Sequence, residues 1–176
     1  MARGDIMAFI DSDMTVDPEW ISKGIQCFTD KKADYIGCQI EIVSSKKRVN
    51  AWEKYDVALW FPVKDYMAVD GYAPTACLLV TRQVFEAIGN FDSRLLSGGD
   101  CEFGTRVRDH GFKMVYDPEN VMYHPARNSY ESLFKKQKRV TLGNILFLYN
   151  FNWIMVPADW LAFNCFIYQR KRYESF

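Results

Sequence analysis

Two aspartates, Asp11 and Asp13, directly follow the apolar run Ile6–Ile10. Such a run predicts a buried parallel strand, and open α/β sheets bind their ligands at the carboxyl ends of such strands. Carboxylate oxygens suit Mg²⁺ or Mn²⁺, which commonly bridge one or two carboxylates to substrate phosphates. The Asp11-Ser12-Asp13 segment therefore indicates a metal site; the alternative is a polar turn that caps the next helix.

A second acidic motif, SGGDCEFG, occupies residues 97–104. Its Asp100 stands at the start of a predicted helix, where an aspartate commonly serves as the N-cap. Backbone N–H groups and the positive end of the helix would then keep the carboxylate ionised at neutral pH. Gly98 and Gly99 leave room beside it for a substrate. Asp100 is therefore either a cap alone or a cap whose carboxylate also does chemistry.

The composition of the chain limits the class of protein to which Asp11, Asp13 and Asp100 can belong. The 176 residues are 49% apolar and 25% charged with a formal net charge of zero, which predicts one folded domain and excludes a disordered chain. A neutral chain gives no electrostatic case for binding nucleic acid. The five cysteines are odd in number and form no CxxC pair, which argues against a disulfide framework or zinc site and for a reducing, cytoplasmic compartment.

Apolar runs and breaker residues predict alternating strands and helices. We expect strands at residues 6–10, 35–43, 75–81, 114–116 and 121–123, and helices at 17–30, 50–61, 83–88 and 100–110. Gly89 and Gly111 should end the last two helices. This alternation predicts an α/β fold: a mostly parallel sheet flanked by helices, with a C-terminal helical extension. The chain enters its first strand without a secretory signal, and we expect it to be the later part of a larger domain.

Three segments in order resemble motifs of the family-2 glycosyltransferases: residues 2–21 (ARGDIMAFIDSDMTVDPEWI), residues 73–118 (APTACLLVTRQVFEAIGNFDSRLLSGGDCEFGTRVRDHGFKMVYDP) and residues 121–139 (VMYHPARNSYESLFKKQKR). Three ordered motifs are more specific than any one. The resemblance implies the GT-A (Rossmann-like) fold, with residues 1–143 forming the C-terminal part of the catalytic domain. It also implies inverting transfer of a sugar from a nucleotide-sugar donor (UDP-, GDP- or dTDP-linked) to a glycan or lipid-linked acceptor, in polysaccharide or envelope glycan synthesis.

The resemblance also implies roles for single residues. Asp11 and Asp13 would form the DxD pair, with Asp13 ligating Mn²⁺ or Mg²⁺ on the donor diphosphate and Asp11 supporting the ribose or sugar. His124 would lie near that metal, or else be structural. Asp100 would be the catalytic base that deprotonates the acceptor hydroxyl. A single carboxylate suffices for this reaction, unlike the pair required in glycoside hydrolysis.

Further positions carry two interpretations each. Arg127 and Arg139, together with Lys136, bind the donor as a lid over its diphosphate, or they lie on a solvated basic face. Glu102 contacts the acceptor beside Gly98 and Gly99, or forms an i,i+4 ion pair with Arg106, which we favour. Three aromatic residues of the second predicted helix line an acceptor groove or, the favoured use, pack inward: Trp52, Tyr55 and Trp60.

The sequence departs from the family pattern at three points. Gly99 replaces the glutamate that commonly precedes the catalytic aspartate, and the Gln-x-x-Arg-Trp signature of processive synthases is absent, which favours a single-transfer enzyme. We expect the opening half of the family's domain, which holds the nucleotide base, to be missing from this chain. An alternative function is therefore a non-catalytic fragment or pseudoenzyme that acts as a binding or assembly module. A metal-dependent phosphotransferase is a weaker option, since no P-loop is present.

Residues 144–176 form an aromatic-rich tail. Residues 144–168 contain one charge, Asp159, and are followed by the basic cluster Gln169-Arg170-Lys171-Arg172. The length would span a bilayer, but Pro157, Asp159 and several asparagines interrupt the run. We therefore favour a helical segment that packs on the domain or lies at a membrane interface. The expected location is cytoplasmic, at the inner face of the membrane if the tail makes peripheral contact.

Overall fold

The computed structural model describes residues 3–44, 48–59 and 61–150, with side chains to residue 143. The elements in chain order are β1 (Ile6–Ile10), β2 (Thr15–Val16), α1 (Trp20–Lys31), β3 (Tyr35–Val43), α2 (Ala51–Leu59), α3 (Val63–Asp65), a π-helical turn (Tyr66–Asp70), β4 (Cys77–Thr81), α4 (Arg82–Ile88), α5 (Gly99–Asp109), β5 (Met114–Pro125) and α6 (Tyr130–Asn150). Trp60, Lys46, Lys47 and the tail from residue 151 lie outside this description.

Five strands form one sheet in the order β1-β4-β3-β5-β2, with helices against it. The predicted α/β class is confirmed, but the expectation of a mostly parallel sheet is wrong. Only β3 and β5 run parallel, and the other three pairings are antiparallel. An apolar run indicates burial without fixing strand direction. β1 is also less buried than predicted, since Ala8 and Ile10 are exposed in the described residues.

The two strands predicted at residues 114–116 and 121–123 are one bulged strand, β5. Cys38 of β3 pairs with Asp117 while the next residue, Gln39, pairs with Val121, so residues 118–120 leave the ladder. Pro118 has no N–H to donate to a ladder, which explains why the bulge forms there. Asn120, which is buried within the bulge, donates its side-chain N–H to the Trp20 carbonyl at 3.1 Å and ties α1 to the sheet.

The core holds the segments that carry the acidic motifs. The buried Tyr35 hydroxyl donates to the Ala73 carbonyl at 3.0 Å and accepts from the Ala73 N–H at 2.8 Å, which fixes the approach to β4. Phe103 of α5 lies 4.9 Å from the Phe85 ring and 4.3 Å from the Phe91 ring. These ring contacts hold the start of α5 against the sheet.

The structure also bears on the cysteines and on the membrane-crossing potential of the helices. Among the described residues, the thiols of four cysteines are free. Among the same residues, none of the helices combines the length and the apolar character needed to cross a bilayer. The prediction of a packed or interfacial tail falls mainly on residues 151–176, which lie outside the description.

Candidate active site

Asp11, Asp13 and His124 converge at the end of β1. The Met14 N–H donates to the Asp11 carbonyl at 3.1 Å and closes a tight turn, after which β2 pairs Thr15 with Tyr123 of β5. This pairing brings Asp13 to His124, with 3.9 Å between Asp13 Oδ2 and His124 Nε2. One ligand atom from each of the three residues lies within 4.8 Å of the others. The chain thus gathers three potential metal ligands from two distant segments.

The hydrogen bonding of His124 orients its ring for ligation. His124 is buried, with 4% of its surface exposed, and its Nδ1 lies 2.8 Å from the Pro125 carbonyl oxygen. A carbonyl only accepts, so Nδ1 donates to it, and in the corresponding neutral tautomer Nε2 presents a lone pair beside Asp13. Two carboxylates and one imidazole fit a divalent cation, and the nitrogen ligand suits Mn²⁺ better than Mg²⁺.

Asp100 lies in the first turn of α5 rather than at its N-cap. Gly98 is the N-cap, with φ of +81° in the left-handed region that glycine tolerates. The Asp100 carboxylate accepts the Cys101 N–H at 3.0 Å, and its own backbone N–H and that of Thr75 also act to lower its pKa. Burial raises the pKa of Asp100 despite these donors and the nearby charge of Arg139. The expected stabilisation of the ionised form is therefore outweighed by desolvation.

Open space lies beside Asp100 and Asp11. A Cβ built on Gly98 or Gly99 meets no atom of the described residues within 4 Å, which leaves the predicted room for a substrate. An open pocket of about 420 Å³ is lined by Asp11 and Thr75, and the Thr75 backbone N–H acts to lower the pKa of Asp100. Residues Ala8, Phe9, Ile10 and Phe91 complete the lining. This pocket thus extends from Asp11 to Thr75.

Helix α6 approaches the Asp100 loop from the other side. A Cβ built on Gly143 would collide with the Ser97 side chain and lie 3.0 Å from the Ser97 Cα and carbonyl oxygen. Arg139 lies one turn earlier on the same face, and its charge acts to lower the pKa of Asp100. The structure therefore brings the charge of Arg139 near Asp100, while a contact with the donor stays a prediction.

Arg127 and Lys136 are engaged by Asp56, a residue that the sequence analysis did not single out. Asp56 Oδ2 lies 3.4 Å from Arg127 Nη1, and Asp56 Oδ1 lies 3.9 Å from Lys136 Nζ. The two cations therefore contact a protein carboxylate in this structure. Their predicted role as a lid over the donor diphosphate has no support from these contacts and stays a prediction for Arg127.

The sequence analysis did not single out Asp56 because it predicted the wrong buried face of α2. The face opposite to the predicted one is buried. The predicted inner face carries Trp52 and Tyr55, which are 43% and 52% exposed, so the favoured packing role is wrong for both. Glu53 and Asp56 are buried instead. Glu53 accepts from the Asn50 N–H while Asn50 Oδ1 accepts from the Glu53 N–H, a capping box that the Asn-x-x-Glu spacing could have revealed. No local pattern marks the burial of Asp56, because its partners come from distant segments.

Glu102 forms the ion pair that the i,i+4 spacing favoured. Arg106 donates from Nε to Oε1 at 2.5 Å and from Nη2 to Oε2 at 2.8 Å, a bidentate contact. Arg106 also donates to the carbonyls of Ile88 and Asn90, which ties α5 to the end of α4. With its carboxylate committed to Arg106, Glu102 serves the structure of α5, and we do not propose it as an acceptor contact.

The fold and this acidic site define a GT-A-like domain, and comparison with known proteins gives its family. The profile described as "Glycosyltransferase like family 2" matches residues 1–143, and the chain belongs to this family. The chain is 31% identical over 144 residues to the glycosyltransferase AglE of Haloferax volcanii, covering 82% of this chain and 47% of that protein. It is 26% identical over 129 residues to the pre-mycofactocin glycosyltransferase of Mycobacterium tuberculosis, covering 70% and 27%.

A solved structure shares the fold. The chain resembles residues 1–349 of S. aureus TarS in complex with UDP-GlcNAc, with a TM-score of 0.51 and 16% sequence identity over 73% of this chain and 36% of that one. At this identity the likeness shows the fold alone. The chain spans less than half the length of these relatives.

Proposed function

We propose that this chain provides the acceptor-side and metal-binding part of an inverting glycosyltransferase. The enzyme moves a hexose or related sugar from a nucleotide-sugar donor to a hydroxyl of a glycan or lipid-linked acceptor, in polysaccharide or envelope glycan synthesis. Family membership supports a transferase, and the complex of the fold relative TarS with UDP-GlcNAc makes nucleotide sugars the donors to test. The observation that carries the proposal is the Asp11–Asp13–His124 cluster. The pocket beside Asp11 also reaches Thr75, whose backbone N–H acts to lower the pKa of the partly buried Asp100.

On the donor side, Asp11, Asp13 and His124 would hold Mn²⁺ or Mg²⁺. When bound there, a divalent cation supplies neutralisation of the charge that grows on the departing diphosphate. The hydrogen bond to the Pro125 carbonyl holds the His124 ring with Nε2 on the side of Asp13, which supports this role. The exposed carboxylates of Asp11 and Asp13 remain open to the solvent side, from which the donor would enter.

On the acceptor side, Asp100 would take the proton of the attacking hydroxyl. The acceptor oxygen forms a bond to the anomeric carbon, the bond from that carbon to the diphosphate breaks, and the proton passes to the Asp100 carboxylate. Burial raises the pKa of Asp100, which makes its carboxylate a stronger base than an exposed aspartate. A single displacement with one base inverts the anomeric centre.

Substitution of the base in the full-length protein tests this proposal. Release of nucleoside diphosphate from UDP-, GDP- and dTDP-hexoses would be measured with an envelope extract as acceptor, and NMR would assign the anomer formed. Asp100→Asn should lower turnover about 10²–10⁴-fold while donor affinity is preserved. Asp109→Asn is the matched control, since Asp109 is on the same helix and pairs with exposed Arg108. Turnover retained in Asp100→Asn, or a product with retained configuration, would refute the mechanism.

A further inference from the structure

Asp56 is a fully buried carboxylate with partners from two separate segments. Its Oδ2 accepts the Arg127 backbone N–H at 2.8 Å and lies 3.4 Å from Arg127 Nη1, while its Oδ1 lies 3.9 Å from Lys136 Nζ. Within the described residues Oδ1 has no hydrogen bond, so Lys136 acts there as a charge partner. Burying an ionised carboxylate costs several kcal/mol unless its partners compensate. The contacts to Arg127 and Lys136 supply that compensation.

The first partner, Arg127, belongs to the segment that carries the proposed metal ligand His124. Arg127 lies three residues after His124, where the chain leaves β5, and the preceding Ala126 donates its N–H to the Val43 carbonyl at 2.8 Å. The hydrogen bond from the Arg127 N–H to Asp56 is the next backbone anchor along this segment. Asp56 therefore fixes the path of the chain directly after His124, on the side of Pro125, whose carbonyl orients the His124 ring.

The second partner, Lys136, lies on helix α6, which packs against the loop that precedes Asp100. Lys136, Arg139 and Gly143 follow one another at intervals of three and four residues and thus share one face of α6. Lys136 meets Asp56 at one end of this stripe, and Gly143 meets Ser97 at the other. Lys136 Nζ also lies 5.4 Å from the Phe61 ring centroid, which holds its charged end in place.

We propose that Asp56 is a positioning residue of the active site. Its carboxylate contacts both the segment that follows His124 and helix α6, and thereby fixes the position of one relative to the other. This inference rests on the metal site of the proposed function. Asp56 touches neither substrate nor metal in this account. It acts by holding His124 in the geometry that the cluster with Asp13 requires, and by holding α6 against the loop that precedes Asp100.

The test is the Mn²⁺ affinity of the protein without nucleotide, measured from the electron paramagnetic resonance signal of free Mn²⁺. Asp56→Ala removes the acceptor of the Arg127 N–H and should weaken Mn²⁺ binding about 10- to 100-fold, the range seen when outer-shell partners of metal ligands are removed. Asp56→Asn keeps an oxygen acceptor and loses only the charge, so it should show an intermediate loss. Asp30→Ala, which removes an exposed carboxylate on α1, is the control and should bind as the wild type does.

All titrations are made well below each variant's melting temperature, so a merely structural role would lower that temperature and leave Mn²⁺ affinity unchanged. Unchanged affinity in whichever Asp56 variant remains folded overturns the inference while the metal site stands. Failure of the wild type to bind Mn²⁺ overturns the metal site, and this inference with it.

Hydrogen exchange tests the second contact. Lys136→Met should speed the exchange of the α6 amides relative to Lys135→Met, whose lysine pairs with Glu131 on the exposed face. Equal exchange in the two variants would contradict the role of Asp56 in holding α6.

Discussion

Gly143 of helix α6 lies directly against Ser97, three residues before Asp100. The separation is so small that any side chain at Gly143 would collide with Ser97, since a Cβ there would lie 3.0 Å from the Ser97 Cα and carbonyl oxygen. Gly143 is therefore required for close helix–loop contact rather than for backbone freedom. This contact places α6, with Arg139 one turn away, beside the loop that carries the proposed base.

Replacing Gly143 with alanine should therefore lower the stability of the protein, although a glycine-to-alanine change usually stabilises a helix. Gly→Ala in an unobstructed helical position stabilises by about 1 kcal/mol, whereas Gly143→Ala should destabilise by about 1–3 kcal/mol because α6 must move away from Ser97. Gly99→Ala is the matched comparison for stability, since a Cβ at Gly99 meets nothing within 4 Å in the described structure. Urea unfolding of both variants measures the difference. A stabilised Gly143→Ala variant would show that the contact is not close in solution.

The partly buried carboxylate of Asp100 should reduce stability at neutral pH. Burial raises the pKa of Asp100 above its ordinary value of 3.8, so the folded state binds this proton more tightly than the unfolded state does. The resulting stabilisation is fully present below pH 3.8 and is lost as pH rises through the folded pKa. Asp100→Asn should therefore raise the melting temperature by a few degrees at pH 7, and this gain should vanish toward pH 3. A gain that does not depend on pH would contradict the assignment.

The chain's two histidines provide a matched pair for testing ligation. His110 and His124 each place Nδ1 2.8 Å from a backbone carbonyl, of Arg106 and Pro125 respectively, but His124 alone is grouped with Asp11 and Asp13 in the described structure. His124→Gln should weaken Mn²⁺ binding by more than about tenfold, while His110→Gln should leave it unchanged. Calorimetric titration with Mn²⁺ measures both. Equal affinity in the two variants would exclude His124 as a ligand.

Glu102 should contribute to stability rather than to acceptor binding. Its carboxylate is mostly buried and holds Arg106 through two hydrogen bonds, so Glu102→Gln should cost about 1–3 kcal/mol in the free energy of unfolding. Asp109→Asn disturbs the exposed pair with Arg108 and should have little effect. Chemical denaturation compares the two variants. If Glu102→Gln retains full stability but alters acceptor dependence, the structural assignment of Glu102 is wrong.

Local sequence patterns predicted the elements and several site residues well. Strand β3 spans Tyr35–Val43 as expected, and α4 ends at Gly89, whose φ of +81° needs glycine. Two acids after an apolar strand indicated the Asp11–Asp13 pair, and the family resemblance implied that His124 lies near the same site. The structure groups the three residues. These features are local, or depend on the rule that ligand groups gather at strand ends, so a sequence alone reveals them.

The features that the sequence did not reveal depend on long-range contacts. Strand direction follows from how β1, β3 and β4 are connected in space, so the mixed sheet was mistaken for a mostly parallel one. The face of α2 was reversed because aromatic spacing marks a face without saying whether it points inward. Trp52 instead meets the exposed Tyr130 of α6, with 5.6 Å between ring centroids. Asp56 is buried beside cations from distant segments.

The central claim is that this chain binds a nucleotide through a metal held by Asp11, Asp13 and His124. Calorimetric titration with UDP, GDP and dTDP, each with and without Mn²⁺, tests it most directly, with Asp13→Asn as the comparison variant. We predict that one nucleotide binds the folded wild type only when Mn²⁺ is present, and that Asp13→Asn abolishes this binding. Absence of binding to a demonstrably folded wild type, or binding that neither Mn²⁺ nor Asp13 affects, would contradict the account.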